Sequence, residues 1–119
     1  MKLKKEILDI INMANGTEMY HRLFIDENLP VVTDGIMALA ESADCFWLID
    51  TIASNQIHKN LDEHFQVWKL TVNNDNSAVL KGYNDVDLII TQNIEFTDFP
   101  LEEIKIYLID GVMLLPSEY

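Results

Sequence analysis

Glycine, cysteine and basic residues are all scarce in this sequence, and each scarcity removes a class of function. Four glycines are too few, and wrongly spaced, for a phosphate-cradling loop, a dinucleotide fingerprint or a Gly-x-Ser-x-Gly elbow. The one cysteine, Cys45, cannot close an internal disulfide, which suits a chain that folds in a reducing compartment. No apolar run approaches the roughly 18 residues that span a bilayer. The basic start Lys2, Lys4, Lys5 is followed by Glu6, Asp9 and Asn12, which interrupt the apolar stretch a signal peptide needs. A cytoplasmic protein with no membrane partner is expected. His21, His58 and His64 lie in different elements, without the i, i+4 spacing of a helical zinc pair, Cys-x-x-Cys or His-Glu-x-x-His. Neither a metal nor a cofactor is expected.

Twenty acids stand against eight bases, for a net charge of −12. Residues 1–25 hold Lys2, Lys4, Lys5 and Arg22 against Glu6, Asp9 and Glu18, so the other 94 residues carry −13. Such a field repels nucleic-acid phosphates and acidic membranes and favours a protein with a basic surface. Direct nucleic-acid binding is therefore not expected. Acids are densest over residues 85–119, where eight of them face Lys105 alone. Asp85, Asp87, Glu95, Asp98, Glu102 and Glu103 are the expected contact residues. They fall in turns and on a polar strand face, where a carboxylate stays solvated and is poorly placed for general acid work.

The 119 residues fit one domain, 1–119, with a helical part over about 2–59 and a sheet part over about 64–115. Leu3, Ile7, Ile10, Ile11 and Ala14 form one helical stripe. Asn15-x-x-Glu18 has the form of a capping box that opens a second short helix, and Pro30 marks residues 26–32 as a connection. The strongest helical signal spans 33–59, with Ile36, Leu39, Ala40, Ala43, Cys45, Leu48, Ile49, Ile52 and Ala53 on the stripe. Thr33 or Asp34 would cap it, and Asp44 would cap a second segment if it bends. On such a stripe Cys45 is expected to be buried and inert.

From His64 onward the apolar period becomes two. Strands are expected at 65–72, 77–83, 86–96, 104–109 and 112–115, with turns at 73–76, Asn84-Asp85 and Asp110-Gly111. Helices first and strands second predict an α+β domain of two layers, with the N-terminal helices on one face of a four- to five-stranded antiparallel meander. Leu48, Ile49 and Ile52 would then meet Leu70, Leu88 and Ile90. Trp47, Asp50 and Trp68, with Tyr20 and Tyr83 nearby, are candidates for a ligand pocket between helices and sheet, although aromatics at such positions more often fill a core.

Thr33-Asp34-Gly35, Phe46-Trp47-Leu48-Ile49-Asp50, Phe65-Gln66-Val67-Trp68-Lys69-Leu70, Glu95-Phe96-Thr97-Asp98-Phe99-Pro100-Leu101 and Leu114-Leu115-Pro116-Ser117-Glu118-Tyr119 together resemble an uncharacterised family of small bacterial and phage or plasmid proteins, a domain of unknown function. The resemblance runs from about Gly16 to Tyr119 and leaves the first helix outside. It implies no activity, cofactor or catalytic residue; relatives on mobile elements imply an accessory role such as counter-defence. The resulting expectation is a small acidic, non-enzymatic binding protein that blocks a basic, nucleic-acid-binding surface of a partner. The alternatives are a ligand-binding protein or enzyme using the pocket, and a structural homodimer joined through an open sheet edge.

Overall fold

The computed structural model describes residues 4–14, 19–62 and 64–119. Among them run α1 (Lys4–Met13), β1 (Tyr20–His21), β2 (Val31–Thr33), α2 (Asp34–Ala43), α3 (Phe46–Ser54), β3 (Phe65–Val72), β4 (Ala78–Asn84), β5 (Asp87–Ile94), β6 (Glu103–Ile109) and β7 (Val112–Leu114). Short 3-10 turns follow α3 at Asn55–Ile57 and β7 at Pro116–Glu118. No described helix is long and apolar enough to cross a membrane.

The long helical signal resolves into two helices. Thr33 caps α2 with an extended backbone, its Oγ1 accepting from the Ile36 N–H at 3.3 Å. Asp44 does not open the second helix as expected; it closes the first, in the left-handed region at φ 51°, with its N–H donating to the Ala40 carbonyl. A short polar side chain tolerates that conformation where a branched one does not. α3 then starts after Cys45 without a side-chain cap. The expected capping box at Asn15 and Glu18 lies outside the described residues.

The meander of four or five antiparallel strands is corrected. Seven described strands form one mixed sheet in the order β1-β2-β7-β6-β3-β4-β5. The two extra strands come from 20–21 and 31–33, too short to show a period of two, in a region read as helix and connection. β2 runs parallel to β7, Val31 opposite Val112 and Val32 opposite Met113. No crossover after His64 is needed for this, because α2, α3 and the antiparallel strands all lie between the two partners in sequence. The Asp110-Gly111 hairpin forms as expected, both residues at positive φ.

Strands β3, β4 and β6 each bury alternate residues. Gln66, Trp68 and Leu70, Ala78, Leu80 and Gly82, and Ile104, Ile106 and Leu108 are buried, and the apolar ones join Leu48, Ile49 and Ile52 in one core. Leu88 does not join them. A bulge opposite Gly82 and Tyr83 shifts the register of β5, so Leu88 pairs with Tyr83 and is exposed, while Ile90 pairs with Gly82 and is half-buried against the core. Trp68 lies across Gly82, where an added Cβ would stand 2.7 Å from the indole ring. Its Nε1 donates to the Gln66 Oε1 at 2.8 Å, and the Gln66 amide in turn donates to Gln56 Oε1 and the Asp62 carbonyl. A buried polar chain of this kind is stable only when each member is satisfied, as it is here.

Candidate functional site

The residues between the buried ones project to the other side of the sheet, and the strand register arranges them in rows. One row reads Glu103, Thr71, Val79, Asn93 across β6, β3, β4 and β5. The next reads Lys105, Lys69, Lys81, Thr91. A third reads Leu114, Tyr107, Val67, Tyr83, Leu88, starting on β7. These residues are half-buried or exposed. Three lysines directly opposite one another are unfavourable for the sheet itself. Lys69 meets Glu103 at 3.4 Å; among the described residues Lys81 and Lys105 have no carboxylate at ion-pair distance. Beside this row is a shallow cavity of about 280 Å³ lined by Val67, Lys69, Tyr83, Asp85, Val86 and Lys105. Further along, Tyr119 stacks on Phe65 at 6.2 Å between ring centres and meets Tyr107 edge-on at 5.6 Å.

The six expected acidic contacts do not come together. Asp85 and Asp87 lie at the β4–β5 turn, the end of the sheet where β3 begins. Glu95, Asp98, Glu102 and Glu103 lie at the other end, roughly 20 Å away at about 3.3 Å of rise per strand residue. There the Thr97 N–H donates to the Asn76 carbonyl and the Val72 N–H to the Glu102 carbonyl, each at 2.8 Å, which ties the 95–103 segment to the β3–β4 turn and adds Asp75 to the group. The Ser77 hydroxyl and then the Ser77 N–H hold the Asp75 carboxyl below the usual carboxylate range. A cavity of about 460 Å³ at this end is lined by Thr71, Val72, Asn73, Asn74, Glu102 and Glu103.

The aromatic pocket candidates divide in the same way: Trp68 is in the core, Trp47 half-buried and Asp50 exposed on α3. A different cavity, about 410 Å³, is lined by Asn28, Pro30, Gln56, His64, Gln66, Leu108, Asp110 and Gly111. His64 Nδ1 lies 2.9 Å from Asp110 Oδ1 there, with both side chains largely in solvent. His21 Nε2 makes a similar bond of 2.7 Å to Asp34, and His58 Nδ1 accepts from the Asn60 N–H. Among the described residues no three His, Cys, Asp or Glu side chains are grouped as metal ligands.

Cys45 is 1% exposed, and burial, with Asp44 adding a smaller effect, pushes its thiol up to about 12. Its reactive thiolate is therefore scarce at neutral pH. Native protein at pH 8 should react with iodoacetamide at least about a hundredfold more slowly than the unfolded chain, given a free thiol near 8.5. Equal rates, read by intact mass, would place the thiol at the surface.

The family model described as "Family of unknown function (DUF6876)" matches residues 5–119. The chain belongs to this family. Comparison with curated proteins and with solved structures gave no match. The match begins well before Gly16, so α1 is part of the DUF6876 domain. Packing agrees, because Ile7 is fully buried and the Ser117 hydroxyl donates to the Ile11 carbonyl at 2.6 Å. Two of the sequence blocks that carry the resemblance to the DUF6876 family also meet in space. The Glu118 carboxylate accepts from Thr33 Oγ1 at 2.7 Å, from the Leu115 N–H at 3.0 Å and from the Gly35 N–H at 3.2 Å. The absence of a side chain at Gly35 makes room for this approach: a Cβ there would stand 2.5 Å from Glu118 Oε1.

The lysine row was not found from the sequence. Each lysine occupies a polar position flanked by two buried residues, in Trp68-Lys69-Leu70, Leu80-Lys81-Gly82 and Ile104-Lys105-Ile106, which signals only a solvent-facing side chain. Only the pairing of β6 with β3, across the intervening β4 and β5, brings Lys105 beside Lys69.

Proposed function

We propose that this protein is a cytoplasmic, non-enzymatic binding protein that sets the acidic end of its sheet against a basic surface of a protein partner. The helices form the layer that covers the buried side of the sheet, and the sheet's end and other side are left for contacts. The observation that carries the reading is the gathering of Asp75, Glu95, Asp98, Glu102 and Glu103 at one end. One counter-charge, Lys69, lies within ion-pair distance of this group among the described residues. Acidic side chains gathered at one exposed end steer association with a cationic surface. A partner that holds nucleic acid in a basic groove presents the matching charge, and a counter-defence inhibitor is the fullest form of this reading.

The test begins with a partner recovered by affinity purification and then purified. Glu102→Lys with Glu103→Lys should weaken its binding about tenfold or more and flatten the salt dependence. Asp85→Lys with Asp87→Lys, at the opposite end, should leave affinity within about twofold on the same scale. Equal effects of the two pairs would reduce the charge argument to net charge. An affinity that rises with salt would overturn it and turn attention to Tyr107 and Tyr119.

A further inference from the structure

Only four bases follow Arg22 in the sequence, and three of them, Lys69, Lys81 and Lys105, meet in one row on the uncovered side of the sheet. We propose that this row, with the Tyr83 ring beside it, is a binding site for a nucleoside di- or triphosphate. The site adjoins the acidic end, since Lys69 also meets Glu103, but it does not depend on the reading given for that end.

Three lines of chemistry converge on this ligand. Neighbouring strands lie about 4.8 Å apart, so the three lysine Cα atoms span roughly 10 Å, a length over which flexible ammonium groups can follow two or three consecutive phosphates. The like-charge repulsion that burdens the empty row is removed when a polyanion lies along it. Next to the lysines, Val67 and Tyr83 present an apolar and aromatic surface at the cavity of about 280 Å³, suited to the face of a base. Asp85, on the cavity's lining, supplies an acceptor for sugar hydroxyls or a base amine.

The size of the ligand is set by the charge around the row. Acids stand at both ends of the sheet: Asp85 and Asp87 at one, Glu95, Asp98, Glu102 and Glu103 at the other. A nucleotide places its few phosphates on the lysines and stops there. Along the row the lysines give way to Thr91 on β5, so a longer strand of nucleic acid would carry further phosphates past the last lysine, onto a surface flanked by the acids of both sheet ends.

The experiment titrates ATP into the full chain without added divalent cation, following backbone amide shifts and heat. Shifts should concentrate at 67, 69, 81, 83, 85 and 105. Lys69→Gln, Lys81→Gln and Lys105→Gln should each weaken ATP roughly tenfold. Lys5→Gln on α1 should not, although it removes the same charge. Tyr83→Ala should weaken ATP and leave tripolyphosphate unchanged. Melting temperatures should stay level or rise in Lys81→Gln and Lys105→Gln, since each relieves repulsion, and stay about level in Lys69→Gln, which also gives up the Glu103 pair. The proposal is overturned if ATP does not bind at about 1 mM, the weak limit of the affinity scale. It is also overturned if tripolyphosphate or adenosine alone binds as tightly as ATP, or if single-stranded oligothymidylate binds more tightly than ATP. Lysine variants that melt lower with ATP affinity unchanged would identify the row as counter-charge to the acidic surface.

Discussion

Trp68→Ala is expected to destabilise the fold by about 3–5 kcal/mol, the range for emptying a buried aromatic site. Trp68 is 1% exposed and lies over Gly82, whose missing side chain makes the room for its ring. Truncation loses the apolar area and leaves a cavity in the middle of the sheet, where neighbours on β3, β4 and β6 are held by paired backbones and cannot collapse inward. It also removes the donor that satisfies the Gln66 Oε1, although the Gln56 amide, at 3.0 Å from the same oxygen, keeps it from being orphaned. Trp68→Phe separates the two effects: it retains most of the area and should cost about half as much, about 1.5–2.5 kcal/mol. Gly82→Val attacks the same contact from the other strand. Denaturant unfolding monitored at Trp47 reads all three variants. A loss under about 0.5 kcal/mol for Trp68→Ala, the scale of surface changes, would mean that the indole does not fill the core.

Glu118→Ala should cost about 2–4 kcal/mol, given that hydrogen bonds to an ionised acceptor contribute about 1.5–3 kcal/mol and do not add fully. Its carboxylate receives Thr33 Oγ1 and the N–H groups of Gly35 and Leu115, so it joins the tail to the start of α2. A negative charge at that place also complements the helix dipole. Glu118→Gln keeps the size and can keep the Oε1 bonds from Thr33 and Leu115, but it turns an amide nitrogen toward the Gly35 N–H and removes the charge, so it should lose a smaller part of the same stability. Gly35→Ala should be as damaging as Glu118→Ala, since its Cβ would push the carboxylate away. Hydrogen exchange gives the local check. In Glu118→Ala the amides of Gly35 and Leu115 should lose protection before those of β3 and β4; simultaneous loss only through global unfolding would show that the carboxylate holds nothing locally.

The sequence by itself determined the local elements wherever a periodic pattern ran long enough. The stripe from Ile36 to Ala53 gave helices, the alternation in 65–72 and 104–109 gave strands, and Asp110-Gly111 gave a hairpin, because backbone preferences and burial of one face act within a few residues. It also determined the burial of Cys45 and the charge of −12. Strands of two and three residues, such as β1 and β2, carry no period, and their existence depends on partners far away in the chain. The bulge that turns Leu88 outward is likewise a property of the pairing, not of the strand alone.

Tertiary structure alone decided what the charges mean. Six acids that are close in sequence separate to opposite ends of a sheet, because consecutive turns of antiparallel strands alternate between its ends. Three lysines dispersed over residues 69–105 become neighbours, because cross-strand register sets side-chain distance whatever the separation along the chain. Glu118 and Gly35, 83 residues apart, meet for the same reason: the tail passes the start of α2 only once β7 has paired with β2. Sequence sets the alternation along a strand; the fold, through register and bulges, fixes which residues share a side, and binding surfaces are built from the second.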